Sequence, residues 1–324
     1  MSKNNNFTGV SYSPDYPRYA QASACGKAII VGEHAVVYGS KAVAMPLKQL
    51  RMKVEMTPIL KQEGDDRISL MLSGKEVSPR VSDIFKDGIA FFNRKPFALK
   101  AKGSSSVPIG AGLGSSATLS IVILKLLSKS LNVDLDRKDL AYYGNQLEKR
   151  FHGNPSGLDT SVVAFEQCIL FQKGSNPVGI PSCPEVSEKQ PLTFALIDSG
   201  MRASTLAMIR LAEPFFKGTD GDKRLAKFDE LADAVQEGLL TRDAQSVAEA
   251  MNECGVLLHH AGIVSSGLMN MIEFCQSIGT LGVKSTGAGG GGAIMALLDP
   301  ARTEEQLRTL VQEFGQKSVF QITI

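Results

Sequence analysis

The sequence predicts an α+β fold, in which helices are layered on strands that do not alternate regularly with them. Two observations lead to this prediction. Short β-prone runs are concentrated between residues 28 and 73, whereas the pattern from Ala203 to about Ile278 is almost entirely helical. A doubly wound parallel sheet would instead show strands and helices in regular alternation. Because 324 residues are many for one core, we expect about two domains.

The first elements are predicted to be strands. KAIIVGEHAVVYG has a β-prone run from Ala28 to Val31, then Gly32, then an apolar run from Ala35 to Tyr38. This pattern predicts a strand, a turn and a further strand or short helix. Apolar and polar residues alternate from Leu50 to Met56, which is typical of a half-buried strand. RISLMLSG continues in the same manner, so we expect an antiparallel meander across residues 50–73.

The middle of the chain is predicted to be helical and then to return to a strand. SSATLSIVILKLLSKS, residues 115–130, contains no Gly or Pro and predicts a buried helix with Ser115 or Ser116 near its N-cap. DRKDLAYYGNQLEKRF predicts a second helix, whose apolar stripe consists of Leu140, Tyr143, Leu147 and Phe151. PLTFALIDSG predicts an apolar strand that ends in a turn.

The C-terminal part is predicted to be a set of helices followed by a strand, a helix and a closing strand. The helical pattern after Ala203 is interrupted at KGTDGD and near HHAGIVSSG. The closing elements are expected at residues 293–298, 303–314 and 319–324.

GSNPVGIPSCPEVSEKQP holds four of the fourteen prolines and shows no clear period, so we expect the domain boundary there, near residue 188. The first twenty residues are rich in Asn, Ser, Tyr and Pro and are expected to form a flexible extension. The predicted organisation is therefore an extension (1–20), an N-terminal domain (21–188) and a C-terminal domain (189–324).

Composition excludes several classes of protein. A net charge of +2 gives no reason to expect nucleic acid, although a few local Lys and Arg residues would suffice for a small anionic substrate. The five cysteines form no CxxC pair, which argues against a zinc cluster or a disulfide framework and favours the cytoplasm. We expect no secretory signal and no membrane span, since no apolar run approaches about 20 residues.

The strongest local signal is SSSVPIGAGLGSSAT, residues 104–118. Its glycines allow backbone N–H groups to approach an anion, and the helix that follows offers its positive N-terminal end. A dinucleotide fingerprint needs Gly where Ser115 stands, and a Walker A loop needs Lys after Gly114, so neither template fits. The alternative is a glycine-rich turn that only precedes a core helix.

A second glycine-rich stretch is GVKSTGAGGGGAIMAL, from Gly282 to Leu297. Five glycines in six residues are costly to order, because glycine loses the most backbone entropy on folding. A flexible linker is the alternative, but linkers rarely lead directly into an apolar strand. We therefore expect a tight backbone crossing beside a phosphate site.

Two further stretches carry charged side chains whose local interpretation is open. CGKAIIVGEHAVVYG contains Lys27, Glu33 and His34, and taken alone these fit a strand-end lysine and a partly buried imidazole. FHGNPSGLDTS contains Asp159 after four turn-forming residues. Asp159 is either a helix-capping or solvated residue, or the carboxylate that takes the proton of a substrate hydroxyl.

In this order along the chain, three of these stretches resemble the motifs of the GHMP kinase superfamily, named for its galactose, homoserine, mevalonate and phosphomevalonate members. GKAIIVGEHAVVYG resembles the first motif, GAGLGSSAT the phosphate-loop motif and KSTGAGGGG the C-terminal glycine motif. HGNPSGLD is characteristic of the mevalonate kinases within the superfamily. The resemblance extends from about Ala24 to the C-terminus.

The resemblance implies a GHMP kinase fold, with a ribosomal-protein-S5-like α+β domain, a C-terminal ferredoxin-like domain and the active site between them. The reaction it implies is transfer of the ATP γ-phosphoryl group to the 5-hydroxyl of mevalonate, with Mg²⁺ as the metal. A homodimer is common in the family.

The resemblance also implies roles for individual residues. Asp159 corresponds to the catalytic aspartate and Lys27 to the lysine paired with it. The Mg²⁺ ligands of the family correspond to Ser116 and Glu148. Without the resemblance, Glu148 would be interpreted as a solvated helix residue. The residues expected to bind the ATP phosphates are Ser105, Gly110, Ala111, Gly112, Leu113, Gly114, Ser115 and Ser116.

Substrate binding is expected from Glu33, His34 and Thr205, of which Thr205 is equally well interpreted as a helix N-terminal hydroxyl. The first motif usually contains Pro-Gly-Lys, and here Cys25 replaces the proline, which would loosen the turn before Lys27. If Cys25 lies near the active site, N-ethylmaleimide should inactivate the protein and ATP should protect it.

Two rival functions remain open. One is a related kinase with another acceptor, such as 5-phosphomevalonate, because acceptor pockets change with few substitutions. The other is a ligand sensor that keeps the fold without catalysis, since a fold does not fix a function. A sensor would be expected to have lost some of the four residues Lys27, Ser116, Glu148 and Asp159, all of which are present.

Overall fold

The computed structural model describes residues 17–59, 67–78, 80–180 and 191–324. The strands are β1 (Ala20–Val31), β2 (Lys41–Pro58), β3 (Ile68–Leu72), β4 (Lys75–Glu76), β5 (Leu99–Ser105), β6 (Ile169–Gln172), β7 (Val178–Gly179), β8 (Thr193–Asp198), β9 (Gly282–Thr286), β10 (Ala293–Leu297) and β11 (Val319–Thr323). The helices are α1 (Arg80–Phe91), α2 (Ser115–Ser130), α3 (Arg137–His152), α4 (Leu158–Phe165), α5 (Thr205–Lys217), α6 (Gly221–Thr241), α7 (Ala244–His260), α8 (Ser266–Ser277) and α9 (Thr303–Phe314), with a short 3-10 helix at Ala35–Tyr38.

Strand β1 is longer than the sequence predicts. The β-prone run suggests a strand at residues 28–31, but β1 spans Ala20–Val31 and pairs antiparallel with β2. Its first part consists of small residues with little intrinsic preference for strands, so pairing with the 18-residue β2 determines its conformation. Lys27 consequently lies inside a sheet and not at a strand end. The run from Ala35 to Tyr38 forms the short helix that the pattern allowed.

The expected meander across residues 50–73 is wrong. Strand β3 does not pair with β2, because β5 lies between them and pairs parallel with β3 and antiparallel with β2. The chain reaches β5 from β3 through β4 and helix α1. A crossover of this kind depends on long-range packing, which the alternation of apolar residues does not reveal.

The helices of the N-terminal half pack on this sheet as predicted. Helix α2 occupies residues 115–130 and is buried over most of its length, and α3 buries Leu140 and Leu147 of its apolar stripe. Their apolar side chains share one core cluster with α1 and with one face of β2, β3 and β5. The end of β1 and the first half of β2 contribute to a second cluster, which reaches into the C-terminal half.

The C-terminal half contains a four-stranded antiparallel sheet in the order β11–β8–β10–β9. This is the strand order of a ferredoxin-like domain, with α5–α8 between its first two strands and α9 before its last. The predicted strand at PLTFALIDSG and the three closing elements are confirmed to within one residue. The helical stretch has one further break, at Arg242, which adopts a left-handed conformation.

The two halves share a core. One hydrophobic cluster combines Val31 and Met45 of the first sheet with Leu196, Phe228 and Met251 of the C-terminal half. The expected domain boundary near residue 188 lies outside the described residues, as do residues 1–16 of the predicted extension, so both stay predictions. Among the described helices, none is long and apolar enough to cross a membrane.

Candidate active site

The motifs identified in the sequence line one cleft. Its walls come from both halves of the chain: β1 and the turn after it, residues 110–114 (the phosphate loop), the start of α2, the turn before α4, the start of α5, and residues 287–292 (the glycine strip). The predicted site residues that line it are Lys27, Glu33, His34, Gly110, Gly112, Gly114, Ser115, Ser116, Glu148, Asp159 and Thr205.

The phosphate loop presents its backbone to the cleft. Gly110, Gly112 and Gly114 have φ angles of 71°, 77° and 78°, a region that favours glycine. Ala111 and Leu113, which were also expected at the phosphates, are fully buried and do not line the cleft. Helix α2 begins directly after the loop, and no described side chain caps it. Its first N–H groups are therefore available to an anion such as a triphosphate.

Lys27 and Asp159 form an ion pair at the edge of the phosphate loop. Lys27 Nζ lies 3.0 Å from Asp159 Oδ2 and donates to the Gly112 carbonyl at 3.1 Å. The lysine side chain is 3% exposed and the aspartate 37%, so the carboxylate keeps access to the cleft. Asp159 lies in the first turn of α4, which begins after Gly157 (φ 96°). The Ser161 hydroxyl donates to the Gly157 carbonyl at 2.7 Å and fixes this turn.

Glu148 is a buried carboxylate, not a solvated helix residue. It is 2% exposed and accepts hydrogen bonds from the Ser116 and Ser120 hydroxyls, each at 3.0 Å. Burial, and secondarily the charge of Asp159, raises the pKa of Glu148 to about 7. His152 Nε2 lies 3.1 Å from Ser116 Oγ, and burial lowers the pKa of this imidazole.

The donor set of Ser116 and Glu148 fits a Mg²⁺ ion. Both offer oxygen, the ligand atom that Mg²⁺ prefers, and a cation would favour the ionised carboxylate that burial disfavours. No group of three or more Asp, Glu, His or Cys side chains in the described parts of the chain could hold a metal. Phosphate oxygens and water would therefore complete the coordination, as is usual for Mg²⁺ in nucleotide sites.

The three residues expected at the substrate also line the cleft. His34 has a φ of 61° and its Nε2 lies 2.8 Å from the Ala288 carbonyl oxygen. The Glu33 carboxylate is 1% exposed and is ion-paired with Lys284. Thr205 is the first residue of α5, where Ser204 provides the N-cap by accepting from the Ala207 N–H. The Thr205 hydroxyl is thus not needed as the cap.

The glycine strip crosses the phosphate loop at van der Waals distance. A Cβ on Gly287 would lie 2.8 Å from Gly112 Cα, and a Cβ on Gly292 would lie 2.7 Å from the Ala111 carbonyl oxygen. The expected backbone crossing beside the phosphate loop is therefore confirmed. Glycine is required there because the two chain segments leave no room for a side chain.

Two residues that were expected near the cleft, Ser105 and Cys25, do not line it. Ser105 does not line the cleft: its hydroxyl accepts from the Val107 N–H and donates to the Val107 carbonyl. The placement of a reactive Cys25 at the active site is wrong. Cys25 is fully buried and does not line the cleft, and burial raises the pKa of its thiol to about 11. A buried thiol that stays protonated is a poor nucleophile.

The sequence interpretation missed three residues of the cleft or its surroundings. His152 belongs to the HGNPSGLD stretch, whose histidine was available as a signal. Asn145 precedes Glu148 by three residues on α3, so the helical period could have identified it. Its buried Oδ1 has no hydrogen-bond partner in the described residues and lies in the cleft wall. Lys284 is the first residue of the KSTGAGGGG stretch, but its partner Glu33 is 251 residues away, so the sequence assigned it no role.

Comparison with known proteins gives relatives over almost the whole chain. A mevalonate kinase of Aeropyrum pernix is 30% identical, with 92% of this chain and 94% of the relative covered. A crystal structure of the L. major mevalonate kinase in complex with R-mevalonate has a TM-score of 0.78 at 18% identity, covering 97% and 98% of the two chains. The phosphomevalonate kinase of Streptococcus pneumoniae has a TM-score of 0.75 at 18% identity, covering 94% and 100%.

Family models match both halves of the chain. The model for the GHMP kinases N terminal domain matches residues 82–167, which include the phosphate loop, Glu148 and Asp159. The model for the GHMP kinases C terminal domain matches residues 233–317, which include the glycine strip. Together with the two-domain α+β architecture and the relatives above, these matches establish that the chain belongs to the GHMP kinase family.

Proposed function

We propose that the protein transfers the γ-phosphoryl group of ATP to the 5-hydroxyl of mevalonate, giving 5-phosphomevalonate and ADP. The observation that carries this proposal is the ion pair between Lys27 Nζ and Asp159 Oδ2, which are 3.0 Å apart. Lys27 also contacts the phosphate loop, and Asp159 is partly open to the cleft. The names of the relatives support the acceptor, and so does the HGNPSGLD stretch.

The nucleotide would lie with its phosphates on the phosphate loop. Phosphoryl transfer requires mainly positioning and charge stabilisation from the protein. The loop N–H groups and the first turn of α2 would hold the phosphate oxygens, and the Ser115 and Ser116 hydroxyls lie at the same place. Ser116 and Glu148 would hold Mg²⁺, which supplies positive charge to the transferring phosphoryl group.

Asp159 would act on the acceptor hydroxyl. Its carboxylate is partly open to the cleft, so it can accept the proton of the 5-hydroxyl or orient that hydroxyl toward the phosphate. The buried Lys27 ammonium beside it would stabilise the negative charge that develops on the reacting oxygens. Lys27 is held in place by its bond to the Gly112 carbonyl, which belongs to the loop that binds the phosphates.

The acceptor would be bound between His34 and the start of α5. The Thr205 hydroxyl is the group we propose for the substrate carboxylate, because Ser204 is occupied as the N-cap and Arg202 is paired with Asp198. His34 is fixed by the Ala288 carbonyl and presents its ring to the cleft. Glu33, the third residue expected to contact the substrate, lies in the cleft wall with its carboxylate engaged by Lys284.

The second candidate is a kinase for another acceptor. It is favoured by the phosphomevalonate kinase structure, whose TM-score of 0.75 is close to that of the mevalonate kinase. A coupled assay of ADP release with Mg²⁺–ATP distinguishes the two, using mevalonate, 5-phosphomevalonate, homoserine and galactose in parallel. Turnover on mevalonate alone is expected. Turnover on another acceptor would show that the proposed substrate is wrong. Binding of ATP without any turnover would favour a ligand sensor.

We also propose a cytoplasmic location and a homodimer. The cysteines in the described residues are unpaired, which is usual for a reducing compartment. Fractionation of cells tests the location. Sedimentation of the purified protein tests the oligomeric state.

A further inference from the structure

Glu33 and Lys284 form a buried ion pair between the two halves of the chain. Glu33 lies in the turn after β1 and Lys284 lies on β9, and their side chains are 1% and 0% exposed. The ammonium also donates to the Ser285 carbonyl at 2.7 Å, and the Cys254 thiol lies 3.7 Å from Glu33 Oε2. Two charges so far from water are tolerated only because each neutralises the other.

The ion pair is one of three adjacent residue contacts between the first motif and the residues around β9. Thr286 Oγ1 accepts from the Ile29 N–H at 3.1 Å and donates to the Ile29 carbonyl at 3.0 Å. The Ala288 carbonyl lies 2.8 Å from His34 Nε2. Residues 284 and 286 lie on the same face of β9, because side chains two apart in a strand point the same way. That face is the one turned to β1.

These bonds lie next to the catalytic elements. Ile29 is two residues after Lys27 on β1. Gly287, directly after Thr286, is packed against Gly112, whose carbonyl accepts from Lys27 Nζ. A shift of β9 relative to β1 would therefore move the phosphate loop and the Lys27–Asp159 pair against each other.

We infer that Glu33 and Lys284 are positioning residues, which hold the glycine strip and His34 against β1, and that Glu33 acts through Lys284 and not by contact with the acceptor. This inference rests on the proposed kinase function and refines the role that sequence resemblance gives to Glu33. The occupied, buried carboxylate favours it over direct binding.

Removal of one partner leaves an uncompensated buried charge, whereas removal of both leaves none. Glu33→Gln keeps the size of the side chain, and Lys284→Met keeps an unbranched side chain that is one atom shorter and uncharged. We expect each single variant to lower kcat about 100-fold, because a displacement near 1 Å costs roughly that much. We expect the kcat of the double variant E33Q/K284M to recover to within about 10-fold of the parent value, because the effects of substitutions at coupled sites are not additive. In each single variant, the KM for ATP and the KM for mevalonate should change by the same factor as each other.

Lys41→Met is the matched control. Lys41 and Asp233 also join the two halves by an ion pair, at 2.6 Å, but their side chains are 30% and 51% exposed. This variant should keep kcat within about twofold, since exposed pairs contribute little. If the single variants fail to fold, the double variant alone tests the inference. A kcat of the double variant below about 1% of the parent value would contradict it.

Two results would overturn the inference. A selective rise in the mevalonate KM for Glu33→Gln, without recovery in the double variant, would indicate direct contact with the acceptor. A lower melting temperature with unchanged kcat in both single variants would indicate a structural role only. If the parent protein shows no turnover on any acceptor, the proposed function fails. The affinity for a fluorescent ATP analogue then tests the positioning role, with weakening in the single variants and recovery in the double variant expected.

Discussion

Replacement of Gly287 by alanine tests the crossing between the glycine strip and the phosphate loop. Gly287 has a φ of 87°, and a Cβ there would lie 2.8 Å from Gly112 Cα and 3.1 Å from the Gly112 carbonyl oxygen. Both neighbours are backbone atoms, so the clash cannot be relieved by a change of rotamer. The loop and the strip must separate.

The cost has two parts. A left-handed conformation costs an alanine about 1–2 kcal/mol. Overpacking that forces a backbone shift adds about 1–3 kcal/mol. Gly74→Ala isolates the first part, because Gly74 has a φ of 78° and its Cβ would have nothing within 4 Å. The excess destabilisation of Gly287→Ala over Gly74→Ala then measures the crossing, and thermal unfolding of the two variants gives that excess.

Activity gives the second readout. Separation by a few tenths of an ångström displaces the Gly112 carbonyl, which holds Lys27 Nζ. We expect kcat/KM for ATP to fall about 3- to 10-fold in Gly287→Ala, on the scale of roughly 100-fold per ångström. Gly74→Ala should keep the parent value. Equal melting temperatures and equal kcat/KM for the two variants would refute the argument that the crossing positions the loop.

Three other predictions concern ionisable groups. Asp159→Asn should lower kcat by about 10²–10⁴-fold in the ADP-release assay, with unchanged binding of a fluorescent ATP analogue; unchanged kcat would exclude its role. At about pH 7.5, N-ethylmaleimide should leave Cys25 unmodified in peptide mass spectra, because only the thiolate reacts. The pKa of Glu148 is raised from 4.5 to about 7, so the folded state binds more protons than the unfolded state between these values. Without Mg²⁺, the melting temperature should therefore fall as pH rises through this window, while the affinity for Mg²⁺–ATP increases; Glu148→Gln should remove both dependences.

Local patterns were sufficient for the elements that carry their own signal. Helix α9 is found at residues 303–314 as predicted, and α2 at 115–130, where the long apolar run contains no Gly or Pro. The first residues of β1 were missed because Ala, Ser and Gly give no strand signal. The meander was wrong because the position of β5 between β2 and β3 is determined by packing over long range.

The same distinction applies to the site. Lys27, Glu148 and Asp159 were expected at the site because the resemblance assigns them a role, and all three line the cleft. Lys284 was not expected at the site, although it lies in the KSTGAGGGG stretch, because its partner Glu33 is 251 residues away. The burial of Cys25 was also invisible, since a strand residue can face either side of its sheet and the local sequence does not decide which.

The bonds between β1 and the residues around β9 also determine when a newly made chain acquires its nucleotide site. Ile29 and Thr286 are 257 residues apart, so a ribosome that adds about 5–20 residues per second makes the second partner roughly 13–51 s after the first. During that interval β1 can pair with β2, but the phosphate loop lacks the glycine strip that packs against it. ATP can therefore stabilise the fold by binding only after β9 and the strip have emerged and docked, which makes nucleotide binding a late event in biosynthesis.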